Sequence, residues 1–507
     1  MTLKNCNLFS HFDASLKKTD NKPILILDNG TTYDYEVIKG KSAQIASLLI
    51  NLKVSPGERI SIQIEKSPES LFLYLACLRA GLIYHPLNPG YTESELEFFI
   101  SDAEPTVIIC DPKNLSVFEK LAKKNNINHV FTLDQDGQGT LTKSSESEKK
   151  IFQSYITPKD HVAALLYSSG TTGRPKGIML THQNLISNTQ TLVDSWQFTE
   201  RDTLLHALPI FHVHGLFVAI GCALLSGASM YWLPKFDVAR ILRNLSQCTA
   251  LMGVPTYYTR LLATNNITHK NCKNMRIFIS GSAPLLEETF HDFATKTGHE
   301  ILERYGMTET NMNTSNPIKG KRKPGTVGLP LPGVEVRIMD DEGQSLEKDM
   351  IGNLQVKGPN VFKGYWKMSE KTAEDFTNDG YFKTGDKAKI DIDGYVSIVG
   401  RSKDMIISGG LNVYPKEVEL IIDDIDGVME SAVIGIQHRD LGEGVVAIVI
   451  ESGSIKVKEE DIIKLCKQQL AGYKIPKKII LAKTLPRNSM AKVQKNILRE
   501  NYKDLFI

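Results

Sequence analysis

Tyr167-Ser168-Ser169-Gly170-Thr171-Thr172-Gly173-Arg174-Pro175-Lys176-Gly177 follows directly on an apolar run, Ala163 to Tyr167, that reads as a strand. Four aliphatic hydroxyls, three glycines and two cations within eleven residues supply the backbone N–H groups and side-chain donors that wrap a polyphosphate. A Walker A loop requires G-x-x-x-x-G-K-[ST]; here Lys176 is followed by Gly177 and the glycine spacing is different, so this is a phosphate loop of another type.

Around this loop, from about residue 30 to about residue 340, short β-branched runs alternate with helical patterns. Val107 to Cys110 and Val130 to Leu133 read as strands, and Lys41 to Leu52, Glu69 to Ala80 and Thr92 to Asp102 as helices. That alternation is the signature of stacked β-α units around largely parallel sheets. From Val334 the pattern becomes short strands joined by polar turns, with Asp393-Gly394 as a hairpin signal, and predicts a small β-rich subdomain over about 334–400. Beyond Gly400-Arg401-Ser402-Lys403-Asp404 an α+β pattern follows: helix Pro415 to Ile422, strands Val428 to Ile436 and Val445 to Glu451, helix Glu459 to Leu470. The expected organisation is a large α/β N-terminal domain, 1–402, and a smaller mobile α+β C-terminal domain, 403–507. Lys143 to Lys150 reads as a polar, charged loop.

The chain's 507 residues predict several structural units, and its 41% apolar and 23% charged residues match soluble globular chains. Sixty Lys and Arg against 58 Asp and Glu leave +2, without a dense basic block, so no nucleic-acid or membrane partner is indicated. Seven scattered cysteines, with no C-x-x-C pair, read as reduced thiols packed as small hydrophobes. Neither end carries an export or lipidation signal, which points to a cytoplasmic protein, a monomer or weak homo-oligomer. The uncharged stretch Gly215 to Leu233 is broken by glycines and serines and reads as a buried helix followed by a strand.

Other motifs fail in context. Gly442-Glu443-Gly444-Val445-Val446-Ala447 fits G-x-G-x-x-A but leads into a strand. His438-Arg439-Asp440-Leu441 lacks the rest of a kinase catalytic loop. His212 and His214 have no third metal ligand nearby in sequence.

Four further segments complete a pattern with the phosphate loop: Tyr305-Gly306-Met307-Thr308-Glu309, Tyr381-Phe382-Lys383-Thr384-Gly385-Asp386, Gly400-Arg401-Ser402-Lys403-Asp404, and Leu485-Pro486-Arg487-Asn488-Ser489-Met490-Ala491-Lys492. Their order and spacing, over nearly the whole chain, resemble the adenylate-forming superfamily of acyl-CoA synthetases, luciferases and adenylation domains. Longer matches, Leu208-Pro209-Ile210-Phe211-His212-Val213-His214-Gly215-Leu216-Phe217, Pro234-Lys235-Phe236-Asp237 and Glu303 to Ser315, are most similar to the malonyl-CoA synthetases.

The resemblance implies an acid–thiol ligase using ATP, Mg²⁺ and coenzyme A: a carboxylate is adenylated, then the thiol displaces AMP. Malonate is the implied acid. Another short or branched acyl-CoA synthetase, acting on methylmalonate or a monocarboxylate, and a carrier-loading adenylation module stay open as alternatives. It further implies that Ser168, Ser169, Gly170, Thr171, Thr172, Gly173 and Lys176 hold the phosphates, that Thr308 touches the α-phosphate and that Glu309 binds Mg²⁺. A glutamate at a helix start is otherwise ordinarily a cap. Asp386 would accept the ribose hydroxyls with Arg401 behind it, and Tyr305 and Ser282-Ala283-Pro284 would flank the adenine. Lys492 would serve the adenylation transition state, with the C-terminal domain pivoting at Lys403. His212, Gly409, Gly410 and Leu411 would border the coenzyme A path. Arg260 and Ser282 would grip the distal carboxylate of malonate, for which a buried cation is expected. The family usually has glycine where this chain has Ala491; if that backbone is left-handed, alanine costs about 1 to 2 kcal/mol.

Overall fold

The strand ahead of the phosphate loop spans Val162–Ser168 and pairs antiparallel with Lys176–Thr181, with Ser168 opposite Lys176. The computed structural model describes residues 5–19, 22–168, 175–264, 266–401, 404–408, 411–438, 441–453, 455–470, 472–488 and 491–506. Of the phosphate loop, Ser169, Gly170, Thr171, Thr172 and Gly173 lie outside the described residues, as do Lys403, Gly409 and Gly410.

That strand pair belongs to a seven-stranded sheet in which Val162–Ser168, Ile83–Pro86, Arg59–Gln63, Val107–Cys110 and His129–Thr132 run parallel. Val107–Cys110 is buried at every residue, as expected of a parallel strand covered on both faces. A second, nine-stranded sheet has a parallel centre of Ser229–Trp232, Thr203–His206, Ala250–Gly253, Ile277–Ser280 and Ile301–Met307. One hydrophobic core runs across both. Helix Pro68–Ala80 is buried from Ser70 to Ala80; Ser67 starts it with a capping box and Gly81, at φ 71°, ends it.

The expected β-rich segment forms a four-stranded antiparallel sheet: Glu335–Met339, Gly352–Lys357, Phe382–Ile390 and Val396–Arg401. Its hairpin turns at Gly394, φ 90°. After it, Val428–His438 and Gly442–Glu451 form the centre of a five-stranded sheet with separate apolar clusters on helices Pro415–Asp423, Glu459–Gln469 and Lys495–Asn501. Gly442 opens a strand, as its context indicated.

Three local expectations shift. Helix Tyr35–Asn51 begins well before Lys41, because Asp34 accepts from Val37 N–H and caps it there. Lys143 to Ser145 belong to helix Thr140–Ser145, anchored by buried Leu141, and not to a loop. Glu309 lies in the turn of a β-hairpin, Ile301–Met307 and Asn311–Ser315, and not at a helix start. All seven cysteines are free and buried. Among the described residues no helix is long and apolar enough to cross a membrane; Gly215 to Leu233 holds the end of a π-turn, helix Ile220–Ser226 and strand Ser229–Trp232.

Candidate active site

Strand ends and their following turns bring Lys176, Glu309, Tyr305, Asp386 and Arg401 together. Lys176, 8% exposed, stands at the foot of the phosphate loop with Nζ 3.6 Å from Asp375 Oδ2 and 4.5 Å from the centre of the Tyr365 ring. Across from it the hairpin turn presents half-buried Thr308 and buried Glu309. Gly306 is obligatory in this hairpin, since a Cβ there would lie 1.9 Å from the Asn311 carbonyl oxygen. The turn is fixed by buried amides: Asn360 donates to Thr310 O at 2.7 Å, Asn311 donates to Asn360 O at 3.1 Å, and Phe362 N–H donates to Glu309 O at 2.8 Å. Burial raises the Glu309 pKa, and the cations of Arg401 and Lys176 oppose that rise.

A buried carboxylate facing the phosphate-loop lysine fits a hard dication, which would supply the missing positive charge. Among the described residues no three His, Cys, Asp or Glu side chains cluster as a metal site, so an ion on Glu309 would take its other ligands from phosphate and water.

Asp386 and Arg401 are cross-strand partners in the four-stranded sheet, with Arg401 Nε 2.9 Å from Asp386 Oδ1. Tyr305 donates its hydroxyl to Asp386 Oδ2, so three of the implied nucleotide residues form one network. Beside it runs the Gly281–Pro284 loop. Ser282 is held at φ 71°, an uncommon conformation for a residue with a side chain, and its Oγ is 3.4 Å from His214 Nδ1. Ala283 is half-buried and Pro284 exposed.

The buried cation of this region is Arg304, and not Arg260. Arg304 is 2% exposed, its Nε and Nη2 have no hydrogen-bond partner, and its guanidinium fills the space that a Cβ on Gly281 would occupy. Arg260 is exposed on the last turn of helix Pro255–Ala263, its guanidinium 6.0 Å from the centre of the Phe236 ring. Arg304 lies within the Glu303-to-Ser315 match, and strand parity turns Glu303 and Arg304 to opposite sides of strand Ile301–Met307. Glu303 accepts from Leu285 N–H at 3.0 Å, behind the Ser282 loop.

His212 and His214 come from the segment that follows strand Thr203–His206. Desolvation first, then the charges of Arg304 and Lys492, push the His212 pKa down to about 4. Lys492 of the smaller unit therefore lies within electrostatic reach of His212 in the larger one. The Lys492 loop is tied by its own residues: Asn488 Oδ1 accepts Lys492 N–H at 3.0 Å, and Arg487 Nη1 donates to Ala491 O at 2.7 Å. Ala491 has φ 59°, the left-handed conformation in which alanine was expected to be strained. Leu411 begins the strand that pairs antiparallel with Ile406–Ser408.

The sequence model of the AMP-binding enzyme matches residues 12–366, and that of the AMP-binding enzyme C-terminal domain matches 417–492. The chain belongs to the AMP-binding enzyme family. The malonate–CoA ligase of Arabidopsis thaliana is 33% identical to it over 98% of this chain and 89% of its own length. The crystal structure of ATP-bound MatB from Rhodopseudomonas palustris superposes with a TM-score of 0.97 at 50% identity, covering 99% of this chain and 100% of that one. Apo MatB from the same organism, 49% identical over the same shares, superposes at 0.85. The fold is thus that of the family's adenylate-forming enzymes, a large α/β unit and a smaller C-terminal one, and the enzyme class is an AMP-forming acid–thiol ligase that uses ATP and coenzyme A.

Proposed function

We propose that this enzyme converts malonate, ATP and coenzyme A to malonyl-CoA, AMP and pyrophosphate. The observation that carries the choice of acid is Arg304, a buried guanidinium with two unpartnered nitrogens beside Ser282 and His214. Malonate keeps one carboxylate while the other reacts, and an apolar pocket would reject that charge. At about 4 Å and an effective dielectric near 20, the attraction is about 4 kcal/mol, enough to favour malonate over an uncharged acyl group. Arg260, at the end of the neighbouring helix, is the second cation we assign to the acid.

In the first step a malonate oxygen attacks the α-phosphorus and the bond to pyrophosphate breaks. Lys176 and the phosphate loop hold the leaving phosphates, Thr308 the α-phosphate, and Lys492 meets the charge that develops between carboxylate and ribose. Asp386, fixed by Arg401 and Tyr305, accepts the ribose hydroxyls, while Tyr305 and Ser282-Ala283-Pro284 border the adenine. Glu309 would hold Mg²⁺, which when bound would supply positive charge against the phosphates. In the second step the coenzyme A sulfur attacks the acyl carbon and AMP leaves. His212, neutral at physiological pH by virtue of its lowered pKa, would border the thiol path with Gly409, Gly410 and Leu411.

We assign the division between the two steps to a rotation of residues 403–507 about Lys403 against 1–402. The better match to the ATP-bound relative and the field of Lys492 on His212 support an adenylation arrangement here. The partners are small molecules, in a cytoplasmic monomer or weak homo-oligomer. The test is coenzyme-A-dependent AMP release with malonate, methylmalonate, acetate and octanoate side by side. The malonate rate leads; an equal or greater rate with acetate or octanoate overturns the assignment.

A further inference from the structure

Lys66 follows strand Arg59–Gln63 of the seven-stranded sheet, yet its amine serves the other sheet. It is 6% exposed, with Nζ 2.7 Å from His206 Nδ1, 2.8 Å from His206 O, 3.2 Å from Leu208 O and 4.2 Å from the centre of the Trp232 ring. His206 Nε2 is 2.9 Å from the carbonyl oxygen of Gly215. A carbonyl only accepts, so Nε2 carries the ring proton, Nδ1 is a lone pair, and Lys66 must donate to it. An ammonium has three N–H groups for these three acceptors; a neutral amine has two. Burial pushes the Lys66 pKa well down.

The bonded positions bracket one segment. His206 and Leu208 are its beginning and Gly215 its end, and between them lie His212 and His214. The segment folds tightly on itself: a Cβ on Gly215 would lie 2.0 Å from Pro209 O, and Leu216 N–H donates to His212 O at 2.9 Å. One amine that follows a strand of the other sheet therefore ties the start of this loop directly and its end through His206; within the loop His214 lies 3.4 Å from Ser282 Oγ and His212 lies in the field of Lys492.

We propose that Lys66, acting through His206, is a positioning residue that sets the acid-pocket loop of this enzyme. The polar contacts of its amine are to His206 and Leu208. The proposal rests on His214 and Ser282 bordering the acid, whichever acid the enzyme prefers. The nucleotide residues Lys176, Glu309, Asp386 and Arg401 come from other elements, so the effect separates by substrate.

The experiment compares Lys66→Met, His206→Phe and the double variant in ATP–pyrophosphate exchange, titrating ATP and the best acid found for the wild-type enzyme, with Tm measured for each. Expected are a rise of at least about tenfold in the KM of the acid for each single variant, an ATP KM within about twofold of wild type, and a double variant no worse than the poorer single one. Lys66→Gln, which keeps a donor, recovers part of the loss. Equal changes in both KM values, additive losses, or an acid KM within about twofold of wild type in Lys66→Met overturn the proposal; if that variant does not fold, Lys66→Gln and His206→Phe carry the same comparison. Because the acid is chosen by measurement, a wild-type preference for an acid other than malonate overturns the substrate assignment and leaves this comparison intact.

Discussion

Asp386 and Arg401 face each other across two antiparallel strands, with Arg401 Nε 2.9 Å from Asp386 Oδ1. With Tyr305 donating to the other oxygen, the carboxylate has a fixed plane before any ribose arrives. Asp386 is 3% exposed, so removing its charge leaves the Arg401 guanidinium with a poor partner. Asp386→Asn should raise the ATP KM at least about 30-fold with a smaller change in the malonate KM. A proportionate rise in both would mean that Asp386 supports the fold and not the nucleotide.

Lys492 and His212 report on one another across the two units. Removing the lysine charge makes protonation of His212 easier, so Lys492→Ala should move the His212 pKa upward from about 4, read by NMR of the labelled imidazole. The same variant should slow adenylation by about 100-fold or more while sparing thioesterification of supplied malonyl-AMP, because only the first step develops charge at the α-phosphate. Equal loss in both half-reactions contradicts the assigned role.

The Lys492 hairpin carries a departure that sequence alone already exposed. Ala491 at φ 59° should be strained by about 1 to 2 kcal/mol, of which glycine returns part to unfolded-state entropy. Ala491→Gly should therefore stabilise the C-terminal unit by up to about 1 kcal/mol, seen as an upward shift in its denaturation midpoint. A destabilised variant would mean that the Arg487 and Asn488 bonds fully compensate the alanine.

Runs of contiguous residues were legible: the apolar strand before the phosphate loop and the short strands of the β-rich segment lie close to where their sequence placed them, whereas Glu309 falls in a β-hairpin turn and Asp386 inside strand Phe382–Ile390. What escaped depends on partners distant in the chain or on strand parity. Asp34 caps a helix whose periodicity starts later, and Lys66 meets His206 from another sheet. Glu303 and Arg304 are adjacent on one strand, so pattern alone could not say which side chain packs on Gly281; the structure places the Arg304 guanidinium there and Glu303 against Leu285 N–H.

Glu303 predicts a pH dependence of stability. Burial raises its pKa from 4.5 to about 8, against the opposing Leu285 N–H, Lys416 and Arg304. Between those values the folded chain keeps a proton that the unfolded chain releases, so stability falls as pH rises through that window. Glu303→Gln preserves an acceptor for Leu285 and removes the titration. Its Tm should exceed that of wild type at pH 8 and converge with it near pH 4.5; parallel Tm curves would place the titration elsewhere.

Arg304 and Arg260 divide the question of the acid. Arg304 is buried beside Ser282, whereas Arg260 is exposed at a helix end. Stranding the distal carboxylate without its buried partner is the more damaging change, because the charge then has neither water nor a cation. Arg304→Met should lower kcat/KM for malonate at least about 100-fold while the ATP KM holds, and it should narrow the preference for malonate over butyrate. Arg260→Ala, starting from an exposed side chain, should lower malonate kcat/KM by no more than about fivefold, since a solvated ion pair is worth up to about 1 kcal/mol. If the order reverses, Arg260 moves into the pocket when malonate binds and becomes its principal reader. If both variants keep wild-type kcat/KM for malonate, the charge-reading pocket is refuted and an uncharged acyl substrate takes its place.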